Sequence, residues 1–283
     1  MVVFPNIKIN LGLHILRKRT DGYRDIETVM VPVDWCDVLE IVPFEGPDSA
    51  DRLTLSGLPV GCEPDKNLVT KALVALRNAG LTIAPVEMFL HKNVPDGAGL
   101  GGGSSDAAFA LRLLNELLSL GISETELARI ASTIGCDCPF FIYNRPMLAT
   151  GRGEKLRPIG GLYERLKNKI IVVIKDPAVS VSTAAAYSLT TPDDNRRALT
   201  EIINLPLDDW KNLLVNDFEQ SVFAQTPVPG RIKTKLYELG AEYAAMSGSG
   251  SAVFGIFEPD SVESSEIQQH FKHCKIHFGH ICH

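Results

Sequence analysis

Between positions 86 and 94 the chain reads Val86-Glu87-Met88-Phe89-Leu90-His91-Lys92-Asn93-Val94, apolar and partly alternating, with no breaker before Pro95. That is the pattern of a strand. The rhythm then changes: Ala107, Ala110, Leu111, Leu114, Leu117 and Leu118 recur at three and four residue intervals, which predicts a helix stopped near Gly121. A second helix is opened by the capping box Ser123-Glu124-Thr125-Glu126, carries Leu127, Ile130, Ala131 and Ile134 on one face, and is closed by Gly135. Further on, Lys169 to Lys175 reads as a buried strand, Arg231 to Leu239 as a helix stopped by Gly240, and Ala252 to Phe257 as another strand. Strand and helix text alternate with no internal repeat, so the expected class is α+β. The turn-rich passage from Arg145 to Glu154 is the best crossing point, dividing the chain into domains at 1–154 and 155–283.

Between the first strand and the first helix lies Pro95-Asp96-Gly97-Ala98-Gly99-Leu100-Gly101-Gly102-Gly103-Ser104-Ser105. Five glycines in the seven positions 97 to 103 remove the Cβ atoms that would keep a ligand from the backbone, and Ser104 or Ser105 is placed to cap the helix that follows. The N–H groups of a helix's first turn, reinforced by its dipole, favour an anion, so the loop reads as a phosphate cradle. Gly97, Gly99 and Gly102 also satisfy G-x-G-x-x-G, but the acidic residue a dinucleotide fold needs about 20 residues on is missing from strand text: Glu116, Glu124 and Glu126 all fall in helices. No lysine follows the glycines as in a P-loop, and the protein-kinase set lacks H-R-D and D-F-G.

With 283 residues, 45% of them hydrophobic, the chain has material for two cores. Its longest apolar run, Ile170 to Ile174 between Lys169 and Lys175, is far short of a membrane span. The start, Met1-Val2-Val3-Phe4-Pro5-Asn6, lacks the features of a secretory signal, so a cytoplasmic protein with free thiols on its six cysteines is expected. A formal charge of −6 argues against nucleic acid as a partner. Any polyanion must then meet a local positive field, for which Arg17, Lys18, Arg19 and Arg24, with Lys8 shortly before, are the candidates. The tail holds His270, His273, Cys274, His277, His280, Cys282 and His283 at spacings that match no zinc motif, so a solvated or partly buried tail is expected.

Asp137 follows the predicted end of the second helix at Gly135 and precedes the apolar run Phe140-Phe141-Ile142, with Pro139 expected to keep Cys138 extended. A carboxylate beside a helix C-terminus is electrostatically disfavoured and needs a cation. Lys8, in an apolar segment of its own, is the candidate.

The glycine loop as a whole resembles the second motif of the small-molecule kinases that include galactokinase, homoserine kinase and mevalonate kinase, the GHMP kinases. The opening Asn6-Ile7-Lys8-Ile9-Asn10-Leu11-Gly12-Leu13, the stretch Arg19-Thr20-Asp21-Gly22-Tyr23-Arg24, the segment Gly135-Cys136-Asp137-Cys138-Pro139, and Met246-Ser247-Gly248-Ser249-Gly250-Ser251 resemble further motifs of that family in family order. The resemblance implies an N-terminal ATP-binding domain, a C-terminal ferredoxin-like substrate domain and an active site between them. It implies Lys8 and Asp137 as the catalytic pair, Asp137 taking the proton of an attacking hydroxyl and Lys8 holding it ionised. It implies ATP contacts from Asn67, Lys92, Pro95, Gly97, Gly99, Leu100, Gly101, Gly102, Gly103, Ser104 and Ser105, a third glycine motif at Ser247, Gly248, Ser249 and Gly250, and Mg2+ whose direct ligand is left open among Ser104, Ser105 and Asp106.

The early motifs narrow the resemblance to a member whose alcohol substrate bears cytidine diphosphate, with Asn10, Tyr23, Arg24, Asp137, Thr183 and Tyr187 on the substrate side and the two tyrosines stacking on the base. One position departs from that pattern. Family members commonly carry His after the tyrosine, where this chain has Arg24. Arginine only donates, so either it serves the cytosine acceptors while a backbone carbonyl takes the amine, or it turns to the diphosphate. The alternatives are a related kinase acting on mevalonate, homoserine or a sugar, a nucleotide-binding protein without catalysis, or a dinucleotide oxidoreductase.

Overall fold

A computed structural model describes residues 1–44, 50–261 and 263–282. Two compact units interleave along the chain: the first comprises Met1–Ile7, Trp35–Asp96 and Gly101–Asn144, the second Lys8–Asp34, Gly97–Leu100 and Arg145–His283.

In the first unit a four-stranded sheet runs in the order β1 (Val2–Val3), β4 (Val38–Pro43), β6 (Val86–Lys92), β5 (Arg52–Gly57), with β5 parallel to β6 and the other pairs antiparallel. The alternation read from the sequence is the alternation of faces: Val86, Met88, Leu90 and Lys92 point inward along β6. Four helices accompany the sheet: α1 (Leu68–Asn78), α2 (Gly102–Leu117), α3 (Glu124–Ala131) and α4 (Cys138–Tyr143). The stripe Ala107, Ala110, Leu111 and Leu114 buries the inner face of α2, and Val69, Ala72, Leu73 and Leu76 do the same for α1. Ser123 caps α3 by accepting the Glu126 N–H, while the Glu126 carboxylate pairs with Arg129.

The second unit holds two sheets. One runs β2 (Asn6–Lys18), β3 (Arg24–Cys36), β7 (Met147–Gly151), β8 (Lys155–Pro158). The other runs β10 (Tyr243–Met246), β11 (Val253–Phe257), β9 (Ile170–Lys175), β12 (Lys275–Gly279), every pair antiparallel. Taken in chain order this second sheet has the split β-α-β-β-α-β connection of a ferredoxin-like fold. Its helical insertions are α6 (Thr183–Tyr187), α7 (Leu199–Ile202), α8 (Leu207–Leu213), α9 (Phe218–Gln225) and α10 (Pro227–Glu238) after β9, and α11 (Ser264–His270) before β12; α5 (Leu162–Leu166) precedes β9. Val172, Ile174, Phe218, Val222, Ile232, Leu236, Met246, Phe257 and Phe271 meet in one core.

Three local expectations are corrected. Neither Ser104 nor Ser105 caps α2, because the helix begins at Gly102 and its N-cap is Gly101, held in the left-handed region at φ 73° that only glycine adopts without strain. Both serines lie inside the first turn. Cys138 is not extended: it opens α4, where Pro139 sits at a first-turn position whose N–H no helix bond needs. Asp137 is therefore the N-cap residue of α4, at the end of a helix where a carboxylate is favoured, not at a C-terminus. The tail forms structure as well: Ile281 bridges Val33 and the Cys282 N–H reaches the Pro32 carbonyl, while His283 lies outside the described residues. Among the described residues no helix is long and apolar enough to cross a membrane.

Candidate functional site

In the first unit the N–H groups of Gly102, Gly103 and Ser104 belong to the opening turn of α2, the first helical bond being Ser105 N–H to the Gly101 carbonyl at 2.9 Å. First-turn donors have no acceptor within their own helix, which suits them to phosphate oxygens. A Cβ on Gly102 would sit 3.1 Å from Val94 and 3.5 Å from the Lys92 ammonium, so glycine is also what lets the helix start over the end of β6.

Beneath that turn the strand period brings Lys92 inward, where a lone ammonium would be costly. Two carboxylates answer it. Lys92 Nζ donates to Asp37 and, at 2.7 Å, to Asp106 Oδ2, with all three residues sealed from solvent. Asp37 Oδ1 in addition accepts the N–H groups of Asn93 and Val94, fixing the chain just before the loop. Burial alone would lower Lys92, but attraction to Asp106 and Asp37 outweighs it and the ammonium is raised. For Asp106 burial wins: its carboxyl is pushed up to about 7 despite the pull of Lys92, with Asp37 adding to the rise. Oδ1 of Asp106 and Oγ of Ser105 are buried with no partner.

Asn67 is the N-cap of α1, accepting the Val69 N–H at 2.9 Å. The Ser104 hydroxyl bonds the thiol of Cys138, which burial pushes up to about 12, and so ties the start of α2 to the start of α4, where Asp137 stands half-buried. A groove of about 660 Å³ lies in this unit between α1 and α3, lined among others by Lys71, Val74 and Arg129. It contains none of the residues assigned to the nucleotide.

In the second unit Lys8, buried in β2, donates to Asn10 Oδ1 at 2.5 Å and to the Gly99 carbonyl at 2.9 Å. Asn10 is held in turn by Thr28, whose hydroxyl accepts from Asn10 Nδ2 and donates to the Gly12 carbonyl. Ser247 Oγ also donates to the Gly99 carbonyl, at 2.9 Å. The third glycine motif is suspended from Asn216, whose Nδ2 reaches the carbonyls of Met246 and Gly248, and Ser249 lies 3.4 Å from the hydroxyl of Thr183. Lys8, Asn10, Gly99, Ser247 and Gly248 thus come together. Leu100 accepts the Lys8 N–H through its carbonyl, Pro95 is half-buried and Gly97 is exposed.

The aromatic residues are arranged around arginines. Tyr23 is 58% exposed at the tip between β2 and β3, with the Arg152 guanidinium 5.1 Å from its ring centre. Tyr187 packs its ring edge against Phe218 and has Arg24 5.5 Å from its ring centre. Arg24 therefore joins the neighbourhood of Tyr23 to Tyr187. The expected positive field around positions 17 to 19 is corrected: Arg17 pairs with Asp25, and Arg19 with Asp21 and Asp25, whose carboxyl the two arginines hold below its usual value. Asp21 and Asp25 thus offset two of the four basic charges of the segment, those of Arg17 and Arg19.

Sequence reading missed Asp37, Thr28, Asn216 and Arg152. The first three act through residues 18 to 55 positions away and carry no local signal. Arg152, inside the turn-rich passage 145–154, was visible as a basic residue between two glycines but had no assigned partner.

The GHMP kinases N terminal domain model matches residues 67–145 and the GHMP kinases C terminal model residues 197–274. A 4-diphosphocytidyl-2-C-methyl-D-erythritol kinase of Parabacteroides distasonis is 52% identical over 260 residues, covering 91% of this chain and 92% of the relative. The chain belongs to the 4-diphosphocytidyl-2-C-methyl-D-erythritol kinases of the GHMP kinase family. A kinase of the same description from Porphyromonas gingivalis is 46% identical over 274 residues, 96% of this chain and 98% of the relative. A crystal structure of a 4-(cytidine 5'-diphospho)-2C-methyl-D-erythritol kinase superposes with a TM-score of 0.82 at 29% identity over the full length of both chains. A mevalonate kinase structure shares the fold at a TM-score of 0.71 and 15% identity, covering 99% of each chain. The α+β, two-part family fold expected from the motifs is the fold observed.

Two outcomes follow from this geometry. Gly99 stands at φ 77° and an added Cβ would lie 2.1 Å from the Ser247 carbonyl oxygen. Gly99→Ala is expected to destabilise the protein by about 1–3 kcal/mol, read as a shift in the urea midpoint, and to weaken ATP binding in a fluorescence titration. Asp106, raised from 3.8 to about 7 in the fold, holds a proton that the unfolded chain has released in that interval. Its contribution to stability is therefore present at low pH and lost as pH rises toward 7, with a slope of at most about 1.4 kcal/mol per pH unit. Urea denaturation from pH 4 to 7 should show this loss in the native chain relative to Asp106→Asn; parallel curves for the two would refute the assignment.

Proposed function

We propose that the chain transfers the γ-phosphoryl group of ATP to the 2-hydroxyl of 4-diphosphocytidyl-2-C-methyl-D-erythritol, a step of the mevalonate-independent isoprenoid route. The observation that carries this reading is the near full-length relationship, at 46–52% identity, to kinases named for that substrate. The buried Lys8, fixed by Asn10 and the Gly99 carbonyl, supports it by supplying the kind of preorganised charge that phosphoryl transfer uses.

In the proposed reaction Asp137 accepts the proton of the 2-hydroxyl as its oxygen bonds to the γ-phosphorus and the bond to the β,γ-bridging oxygen breaks, leaving ADP. Lys8 steadies the reacting oxygens. Its ammonium is already aimed by two acceptors, so little reorganisation is needed when charge develops. Asn10 positions Lys8, and the first-turn N–H groups of α2 hold phosphate oxygens. Asn67 and Lys92 shape the adenine end; in the structure their side chains are engaged in capping α1 and in the buried carboxylate pair, so we assign them to positioning of the loop and of α1.

Mg2+ would supply charge neutralisation between phosphate oxygens. The oxygen donors of the first turn of α2 suit it in part: Ser105 and Asp106 are sealed beneath the helix, whereas Ser104 is half-buried and reachable, and Mg2+ commonly keeps waters and phosphate oxygens as its remaining ligands. Ser104 is thus the residue we assign to the ion, its hydroxyl exchanging the Cys138 thiol for the metal.

On the substrate side Tyr23 and Tyr187 take the cytosine ring, with Thr183 beside Ser249 at the third glycine motif. Arg24, held over Tyr187, donates to the cytosine acceptors or to the diphosphate. We assign the reaction to the cytoplasm, where ATP is available to it.

The test is ADP release with Mg-ATP and 4-diphosphocytidyl-2-C-methyl-D-erythritol, beside mevalonate, homoserine and galactose. Turnover with the cytidyl substrate alone is expected. Asp137→Asn should lower kcat by about 10²–10⁴-fold with little change in KM. Turnover with another alcohol would move Tyr23, Arg24 and Tyr187 out of the reaction, and an Asp137→Asn variant with native kcat would end the assignment of the base.

A further inference from the structure

The second unit holds a cluster that the kinase reaction does not use. At the end of β9, Asp176 is 7% exposed, and the turn after α11 brings His273 and Cys274 against it. One carboxylate oxygen, one imidazole nitrogen and the Cys274 sulfur all lie within 4.8 Å of one another. Asp176 Oδ2 and His273 Nε2 are already 3.2 Å apart, and the other carboxylate oxygen is pinned by the Ala178 N–H at 2.9 Å. We propose that Asp176, His273 and Cys274 form a binding site for a zinc-like divalent cation.

The donor set is what selects the ion. A thiolate, an imidazole and a carboxylate suit a borderline-soft ion that takes four ligands in a tetrahedron, and they do not suit Mg2+ or Ca2+. Metal–ligand bonds of about 2.0–2.3 Å bring donors to within roughly 3.5 Å of one another, so the cluster closes by side-chain rotation of about an ångström. The His273 side chain is 69% exposed, which leaves an open side where water completes the tetrahedron.

Charge sets one cost. Lys175 donates its ammonium to the carbonyls of Asp176 and Val179 and not to the carboxylate, but its charge acts on both Asp176 and Cys274, so the two anionic ligands must outweigh it. Without metal, burial pushes the Cys274 thiol up to about 11, with Asp176 adding to the rise, so binding releases one proton to water as the sulfur–metal bond forms. Two other histidines of the tail are engaged elsewhere, His277 with Asp34 and His280 with the Lys169 carbonyl.

An ion here would clamp the turn after α11 to residues 176–179. Residues 176–179 are already held by Lys175 and by Ser251, whose hydroxyl donates to the Val179 carbonyl, and they lead into α6 with Thr183 and Tyr187. The site is therefore a structural fastening for the segment that enters α6. Asp176 and His273 are 97 positions apart, so no local spacing announces it.

The experiment titrates the full chain, stripped with EDTA and desalted, with cobalt(II) and separately with zinc(II). One equivalent of cobalt should give a thiolate-to-metal charge-transfer band with tetrahedral visible bands, kept in Cys282→Ser and lost in Cys274→Ser. Zinc should raise the Tm of the native chain and of Cys282→Ser, and not that of Cys274→Ser. His273→Ala, at an exposed position that does not threaten folding, should weaken cobalt binding by about tenfold or more. Absence of the band at one equivalent, its survival in Cys274→Ser, or unchanged affinity in His273→Ala would each overturn the proposal.

Discussion

One carbonyl oxygen organises the site in the second unit. The oxygen of Gly99 accepts from Lys8 Nζ and from Ser247 Oγ, both at 2.9 Å, so three sequence motifs separated by 91 and 148 positions converge on a single acceptor. The arrangement requires that position 99 carry no side chain, since a Cβ would lie within 2.1 Å of the Ser247 oxygen, and that the backbone adopt a positive φ. Lys8 depends on the same oxygen. An ammonium buried to this degree is tolerable only with its donors satisfied, and Asn10 and Gly99 satisfy two of them while aiming the charge. Glycine at position 99 is thus required by packing alone.

The first unit solves a related problem by different means. Strand alternation carries Lys92 inward, and the loop that follows cannot move far because Asp37 holds Lys92 through one oxygen and the N–H groups of Asn93 and Val94 through the other. Asp106 adds the second carboxylate from the first turns of α2. Two carboxylates facing one ammonium in a dry interior leave an excess negative charge, which burial relieves by keeping a proton on Asp106 near neutral pH. Such a cluster contributes little net stability against an apolar alternative. What it contributes is position: the end of β6, the loop entry and the start of α2 are fixed to one another through three side chains.

Much of this was legible in the sequence, and the limits have physical causes. The apolar pattern placed β6, α2, α3, β9 and β11 within a few residues, because β6 and the two helices each bury one regular face while β9 and β11 are buried on both and read as continuous apolar runs. Helix starts were harder. At α2 a left-handed glycine replaced the side-chain cap that serines suggested, and at Cys138 a proline taken as a breaker was a first-turn residue. Those two errors share a root, since Gly and Pro both end helices and begin them, and only the geometry of the neighbouring turn decides which. Charge was harder still. The basic run at 17 to 19 looked like a field for polyanions until the hairpin folded Asp21 and Asp25 back onto it, a cancellation no count of charges reveals.

The arginine that departs from the family pattern illustrates how a single position is reinterpreted once its neighbours are known. In sequence, Arg24 beside Tyr23 is a base-reading residue that has lost its ability to accept. In the fold its guanidinium lies over Tyr187, whose orientation is fixed by an edge contact with Phe218, while Arg152 covers Tyr23. A guanidinium on an aromatic face is held by about 0.5–1 kcal/mol at an exposed site. That is enough to bias its direction and too little to keep it from leaving when a better partner arrives. An incoming cytosine offers each tyrosine a stacking surface, and a diphosphate offers each arginine a bidentate acceptor worth more than a ring. Under the proposed reaction the two exchanges favour one another, because an arginine drawn to phosphate uncovers the ring on which the base then stacks. A neutral histidine at position 24 would read the base but would take no part in that exchange.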